Sequence, residues 1–322
     1  MRATLNRPPA EEFVLYEKDP KTKIATITLN RPDALNAPTI AARLRFADLV
    51  HRANIDDDVK VLIIRGAGKH LGSGADLEEQ GDMLNPGADV SLLKEYKIED
   101  DGSVKYPPPG SYRFLGSITN LYADDQFGCR SLQNFKKISI LECKGYVYGW
   151  HFYLAGDADI VVSSDDALFG HAAFRYVGWG PRMWTWADMM GVRKFMEMVF
   201  TGRPFTAQQM YDCNFINSVV PRDQLEDETM KYALACSMTR PNDTVVAQKT
   251  FFEIYKQYRG EYMGSLITGF LEGMKPMMTD DSADDLGLGA DTMEKGLANS
   301  VKDNDARFPA DWRLSLRGRA QP

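Results

Sequence analysis

The chain has 322 residues, 44% of them hydrophobic, enough for a substantial core in one large α/β domain or two smaller ones. Its 38 Lys and Arg against 45 Asp and Glu leave a net charge of -7, which argues against a generic nucleic-acid binder with a basic face. No uninterrupted apolar stretch approaches a membrane span, and MRATLNRPPAEEF lacks the apolar core of a signal peptide.

Residues 1–12 are polar, carry Pro8 and Pro9, and read as a flexible arm. From Phe13 to Leu29, period-two alternation predicts two strands joined by a turn at Asp19-Pro20. Asn36-Ala37-Pro38-Thr39 opens a helix running to about Asn54. The β-branched run Val59–Gly66 has the pattern of a parallel strand covered on both faces, which favours α/β architecture. GKHLGSGADLEEQ (Gly68–Gln80) follows it directly. Its two glycines around Ser73 permit a sharp turn, and a helix starting near Ala75-Asp76 would offer free N–H groups to an oxygen carrying negative charge.

Residues 81–127 form an excursion of different character, with a Pro107-Pro108-Pro109-Gly110 block and an acidic run Glu99-Asp100-Asp101, of the length used for lids or surface wrappings. A strand at Ile138–Cys143 leads into Cys143–Trp186, which holds two of the four histidines and a dense set of aromatics. A single helix over Ala187–Phe200, a capped helix from Thr206, a short strand in FINSVVP and helices over 225–238, 242–258 and 262–274 follow. Asp280–Gly289 reads as an acidic loop and 292–299 as a last helix, with Arg307, Phe308 and Trp312 as packing anchors. Cys129, Cys143, Cys213 and Cys236 form no CxxC pair and read as reduced side chains of a cytoplasmic protein. There is no Walker loop and no strand–GxGxxG–helix fingerprint, and His151 and His171 lack the HExxH or Cys cluster that would support a metal site.

Four segments, in this order, carry a resemblance: TLNRPDALNA (Thr28–Ala37), VLIIRGAGKHLGSGADL (Val61–Leu77), KGYVYGWHFYLAGDADIVVSSDDALFG (Lys144–Gly170) and TGRPFTAQQMYDCNFINSVVP (Thr201–Pro221). Together they resemble the crotonase superfamily, the enoyl-CoA hydratase/isomerase family, over about Phe13 to Asp280. The resemblance implies an α/β fold with a ββα-repeat spiral core over 13–221, a C-terminal helical trimerisation region over 222–322, and a homotrimer or dimer of trimers. It also implies an acyl-CoA thioester as substrate, with coenzyme A part of the substrate and no tightly bound cofactor; the charge and the lack of a long apolar stretch argue against a nucleic-acid or membrane partner.

Carried over position by position, the resemblance puts the two oxyanion-hole amides at Ala75 and at Trp150, where the family has a glycine. The two hydratase glutamates fall at Tyr153 and Ala173, so both acids of the standard pair are missing. Without them, groups that position water and move the α-proton are absent, and efficient crotonyl-type hydration is not expected. His171, Tyr153 and His151 are then the candidate catalytic side chains, the histidines because imidazole titrates near neutrality. Ser73, Asp76, Tyr148, Arg175, Trp179 and Arg182 are the candidate substrate-binding residues. The expected function is an acyl-CoA enzyme working through an enolate or tetrahedral intermediate, by isomerase, lyase or hydrolase chemistry rather than hydration. The alternatives are a CoA-independent hydrolase of β-diketone C–C bonds and a non-catalytic binding protein of the same fold.

Overall fold

Phe13 anchors the start of the chain. A helical turn at Ala10–Phe13 (α1) brings its ring into the core, and the Glu12 and Phe13 N–H groups donate to the Pro9 carbonyl at 3.0 and 3.1 Å. The part of the expected arm from Ala10 onward is therefore ordered by a buried aromatic. This computed structural model describes residues 7–79, 130–274, 286 and 297–320. The excursion expected at 81–127, Cys129, and the acidic loop at 280–289 apart from Leu286 lie outside the described residues.

Strands β1 (Val14–Asp19) and β2 (Ile24–Leu29) form the expected hairpin, with Val14 opposite Leu29 and Asp19 opposite Ile24. Helix α2 (Ile40–Ile55) is capped by Thr39, whose hydroxyl accepts the Ala42 N–H at 3.2 Å. Its buried Ala42, Phe46, Leu49, Val50 and Ala53 recur at helical spacing and turn one stripe to the core. Strand β3 (Val61–Gly66) runs parallel to β2 on one side and to β4 (Ile138–Cys143) on the other. Its side chains divide as a doubly covered strand requires: Leu62 and Ile64 enter one apolar cluster, Val61 and Ile63 the other.

After β4 come β5 (Tyr146–Tyr148), helix α3 (Trp150–Asp157), β6 (Ile160–Ser164) and β7 (Leu168–Gly170). The single helix expected over Ala187–Phe200 is two helices, α4 (Met183–Met190) and α5 (Val192–Thr201). They break at Gly191, whose φ of 77° lies outside helical space. Strand β8 (Phe205–Thr206) leads into α6 (Ala207–Asp212), where Thr206 and Gln209 complete a reciprocal capping box. Strand β9 (Ser218–Val220) is followed by α7 (Leu225–Thr239), α8 (Asn242–Tyr258), α9 (Glu261–Met274), α10 (Leu297–Asp305) and α11 (Leu316–Arg319).

Six strands order as β1-β2-β3-β4-β6-β9, all parallel except the first pair, and β5-β7-β8 make a second sheet. Leu225 and Ala233 of α7 cover one face of the large sheet over Val61, Ile63, Ile140 and Val162. The opposite face packs with α2, α3 and the small sheet in a single cluster containing Phe46, Trp150, Phe152, Phe169 and Trp186. This is the mixed α/β layering expected from the strand and helix patterns. It brings the loop after β3, the end of β5 and the start of α3 to one place.

Candidate active site

The Gly-rich loop between β3 and the helical residues 77–79 is held from two sides. On one side, Leu71 and Gly72 N–H groups donate to the Lys144 and Tyr146 carbonyls at 2.8 Å each, and Tyr148 N–H returns to Gly72 at 3.0 Å. On the other, Ser73 N–H donates to Leu35 at 3.0 Å and Asp76 N–H to Pro38 at 3.2 Å. The loop then lies directly against the chain entering α3. A Cβ on Gly149 (φ 56°) would stand 3.0 Å from Gly74 Cα and 4.0 Å from the Ala75 nitrogen, so a larger residue there would push the two segments apart.

At this crossing the N–H groups of Ala75 and Trp150 find no acceptor among the described residues. Trp150 is the first residue of α3, where the helix leaves backbone donors unpaired and its dipole favours negative charge. Two fixed donors on abutting segments are suited to hold one oxygen atom on which charge develops. The Trp150 side chain does not obstruct them by projecting outward. It is 2% exposed, and its ring meets Phe46 edge-on at 5.0 Å within the core.

Around the amides the side chains form an aromatic cage. His171 packs edge-on to Tyr153 at 5.5 Å and to Phe174 at 5.1 Å, with Trp186 at 6.0 Å. Its Nδ1 is 3.9 Å from where a Gly149 Cβ would be, so the ring stands beside the crossing. The near-neutral titration that recommends the histidines from sequence does not survive this burial. Desolvation outweighs a favourable contact with the Trp179 backbone and drives His171 down to about 3; burial does the same to His151, also to about 3. Both rings are neutral at physiological pH, so neither stores a proton there as an imidazolium. Tyr153, expected at one hydratase-acid position, is buried in the cage, and Ala173, expected at the other, is half-buried in a short 3-10 turn.

Several residues expected to touch substrate have other partners. Arg182 is fully buried and binds Asp157, Glu261 (3.1 Å), Ser265 (2.8 Å) and Gln133 (3.3 Å), tying α3 to α4 and α9. Arg175 pairs with Asp305 at 2.8 Å, donates to the Gly202 and Trp312 carbonyls, and lies 3.6 Å over the Phe308 ring. Tyr148 donates its hydroxyl to Leu314 at 2.7 Å, holding the C-terminal segment, and Trp179 donates to the Thr268 carbonyl of α9 at 3.1 Å. Asp76 accepts Arg31 at 2.7 Å and the Glu78 and Glu79 N–H groups, so it caps the following helix. Burial alone would raise its pKa; Arg31 and the Glu79 N–H reverse this and hold it below the usual carboxylate value. Ser73 is half-buried and contributes its backbone N–H to the loop.

Asn36, expected only at the opening of a helix, holds the loop in place. Asn36, at φ 54°, accepts the Arg31 N–H and donates to the Ala67 and His70 carbonyls at 3.0 and 2.9 Å, which fixes the mouth of the loop. Its signal is the turn-forming Asn beside Pro32 and Pro38. A polar cavity lined by Asp157, Lys256 and Glu261 lies at the far end of α3 from Trp150, an eight-residue helix of about 12 Å by its rise. It is distinct from the amide crossing. Among the described residues, no three of His, Cys, Asp and Glu come together as a metal site requires, and no helix is long and apolar enough to cross a membrane.

Comparison with known proteins agrees with this architecture. The pattern of the enoyl-CoA hydratase/isomerase family matches residues 119–261. A Mycobacterium tuberculosis relative bearing an enoyl-CoA hydratase name is 27% identical over 230 residues, 70% of this chain and 69% of its own. The crystal structure of a probable enoyl-CoA hydratase from Mycobacterium smegmatis superposes with a TM-score of 0.66 at 25% identity, over 82% of this chain and 94% of that one. A second enoyl-CoA hydratase structure from the same organism reaches a TM-score of 0.74 over 94% and 97% of the two chains; at 21% identity it speaks to the fold alone. Parallel-sheet topology, the loop–helix crossing and these likenesses converge in support of membership of the crotonase superfamily.

Proposed function

We propose that this protein binds an acyl-CoA thioester with its carbonyl oxygen between the N–H groups of Ala75 and Trp150, and that it stabilises an enolate or tetrahedral oxyanion there. The observation that carries the reading is the pair of donors on abutting segments, neither having an acceptor among the described residues. Donors aimed at developing charge are worth most when they are fixed beforehand, and removing one such donor costs about 100- to 1,000-fold in turnover. Tyr153 and Ala173 stand where the two acids of a hydratase would be, and the nearby histidines are neutral. The chemistry is therefore assigned to isomerase, lyase or hydrolase type, without hydration of a simple enoyl group.

A conjugated thioester reports carbonyl polarisation directly. Cinnamoyl-CoA bound to the protein is expected to absorb at longer wavelength than free cinnamoyl-CoA. Ala75→Pro, which deletes the N–H two residues ahead of the helical residues 77–79, should abolish that shift. An unshifted band on saturation of the native protein would rule the oxyanion role out. Rapid hydration of crotonyl-CoA would overturn the non-hydratase assignment, and turnover of a free β-diketone without thioester binding would favour the CoA-independent hydrolase.

The helical C-terminal region supports self-association. Phe251 (62% exposed), Ile254 and Tyr258 on α8, with Met263, Ile267 and Phe270 on α9, leave large apolar side chains at the surface. We assign this face to contacts between copies, in a trimer or dimer of trimers. Light scattering should give three or six times the chain mass; a monomer at micromolar concentration would refute it.

A further inference from the structure

The two segments that carry Ala75 and Trp150 are joined by imidazoles in both directions. His70, in the loop after β3, accepts the Tyr146 N–H on Nδ1 at 3.0 Å and stacks on the Tyr146 ring at 4.4 Å. His151, second residue of α3, reaches back the other way: its Nδ1 is 3.3 Å from the Gly74 nitrogen, whose N–H points at it. Each ring occupies space that a glycine vacates. A Cβ on Gly145 would stand 2.2 Å from the His70 Nδ1, and one on Gly72 would stand 2.1 Å from the His151 ring. Both contacts lie far below any real Cβ distance, so each histidine and its facing glycine belong together.

For His151 the geometry also decides the tautomer. The Gly74 N–H is a fixed donor, so Nδ1 must offer its lone pair; the Tyr148 carbonyl at 3.4 Å from the same nitrogen cannot then be its acceptor. The proton sits on Nε2, which has no partner of hydrogen-bond geometry, although the nearby Asn36 backbone favours a proton-bearing nitrogen. The ring is fully buried, edge-on to Trp150 at 5.2 Å, and the Arg43 charge acting on it opposes protonation further.

We infer that His151 is a positioning residue: by accepting the Gly74 N–H it fixes the Ser73–Gly74 peptide, one unit before the peptide that carries the Ala75 N–H, and so helps to aim that N–H relative to the Trp150 N–H on its own helix end. This rests on the proposed use of those two amides. The role needs a neutral acceptor at the Nδ1 position and no proton transfer, which separates it from the general acid or base the sequence suggests. Asparagine can place its side-chain oxygen near that position, whereas phenylalanine keeps the ring volume and loses the acceptor.

The native protein, His151→Asn and His151→Phe decide the matter. Nitrogen NMR of histidine-labelled native protein should show His151 with the proton on Nε2; a proton on Nδ1 overturns the inference. Exchange of the Gly74 amide should be slow in the native protein and the Asn variant and at least about tenfold faster in the Phe variant. With cinnamoyl-CoA, the native and Asn proteins should give the full absorption shift. The Phe variant should lose at least half of it while half-saturating at a similar concentration, because CoA binding is retained and only carbonyl polarisation is lost. A full shift in a folded Phe variant sinks the role of His151 and leaves the oxyanion reading intact. No shift in the native protein sinks the oxyanion reading, and the positioning role with it. If the Phe variant fails to fold, the tautomer and the Asn variant's Gly74 exchange decide: Nδ1–H, or fast exchange in Asn, overturns the inference.

Discussion

Replacing Arg182 with methionine is expected to destabilise the protein by about 3–5 kcal/mol, whereas Asp157→Asn should change stability by no more than about 1 kcal/mol. The asymmetry follows from what each change leaves behind. Arg182 is the guanidinium shared by Asp157 and Glu261, and its removal leaves two buried carboxyl groups without the cation they share. Asp157 is the less well served of the two. Burial raises its pKa to about 6, Arg182 opposes this without cancelling it, and Glu261 adds to it; its Oδ2 has no partner among the described residues. Glu261 is also desolvated, yet Arg182, Thr185, Lys256 and Arg130 more than offset this and lower its pKa. Asparagine at 157 still accepts from Arg182 and removes a charge that costs about as much as it contributes. Urea denaturation at pH 7.5 of the three proteins provides the measurement. Equal losses in the two variants would show that Asp157 is an ordinary ion-pair partner.

Lowering the pH from 7 to 5 is expected to remove about 4 kcal/mol through His151 and His171 together, about 2 kcal/mol each. Both have folded pKa values of about 3 against a model value of 6.5, with burial the main cause in each. Such a group binds more protons unfolded than folded in the interval between. Its contribution to stability is fully present above pH 6.5 and is lost as the pH falls toward 3. Asp157 has the opposite sign: its folded pKa of about 6 lies above its model value of 3.8, so its favourable contribution is present below 3.8 and is lost as the pH rises through 6. It offsets about 1 kcal/mol of the histidine loss over the same range. The net effect is acid destabilisation of about 3 kcal/mol, steeper in Asp157→Asn and cut to about 1 kcal/mol in a folded His151→Phe. Unfolding midpoints that do not move between pH 7 and 5 would contradict the neutral, buried state of both rings.

The elements legible in the sequence are those whose cause is local. The run Val59–Gly66 alternates between two apolar clusters because its neighbours cover both faces, and a continuous β-branched run is the imprint of that requirement. Thr39 and Thr206 cap helices through donors within three residues of themselves. The break at Gly191 was equally local, but the apolar periodicity continues across it and masks the positive φ. The Gly-rich turn points to free N–H groups near Ala75, whereas their pairing with the Trp150 N–H is implied by the family resemblance alone, since a backbone donor leaves no side-chain signature.

What the sequence by itself determined is that Tyr153 and Ala173 stand at the positions where the family resemblance implies the two hydratase acids, and that no shift of one or two residues restores both. Tertiary structure alone decided what the other polar residues do. Arg175 meets Asp305 across 130 positions, Arg182 meets Glu261 across 79, and Asp76 meets Arg31 across 45. A buried charge takes whichever opposite charge folding brings within reach, and no local pattern encodes a partner so distant. The histidines differ for the same reason. In isolation His151 and His171 are groups that titrate near neutrality; desolvation in an aromatic core, which only the packed fold supplies, makes both of them neutral.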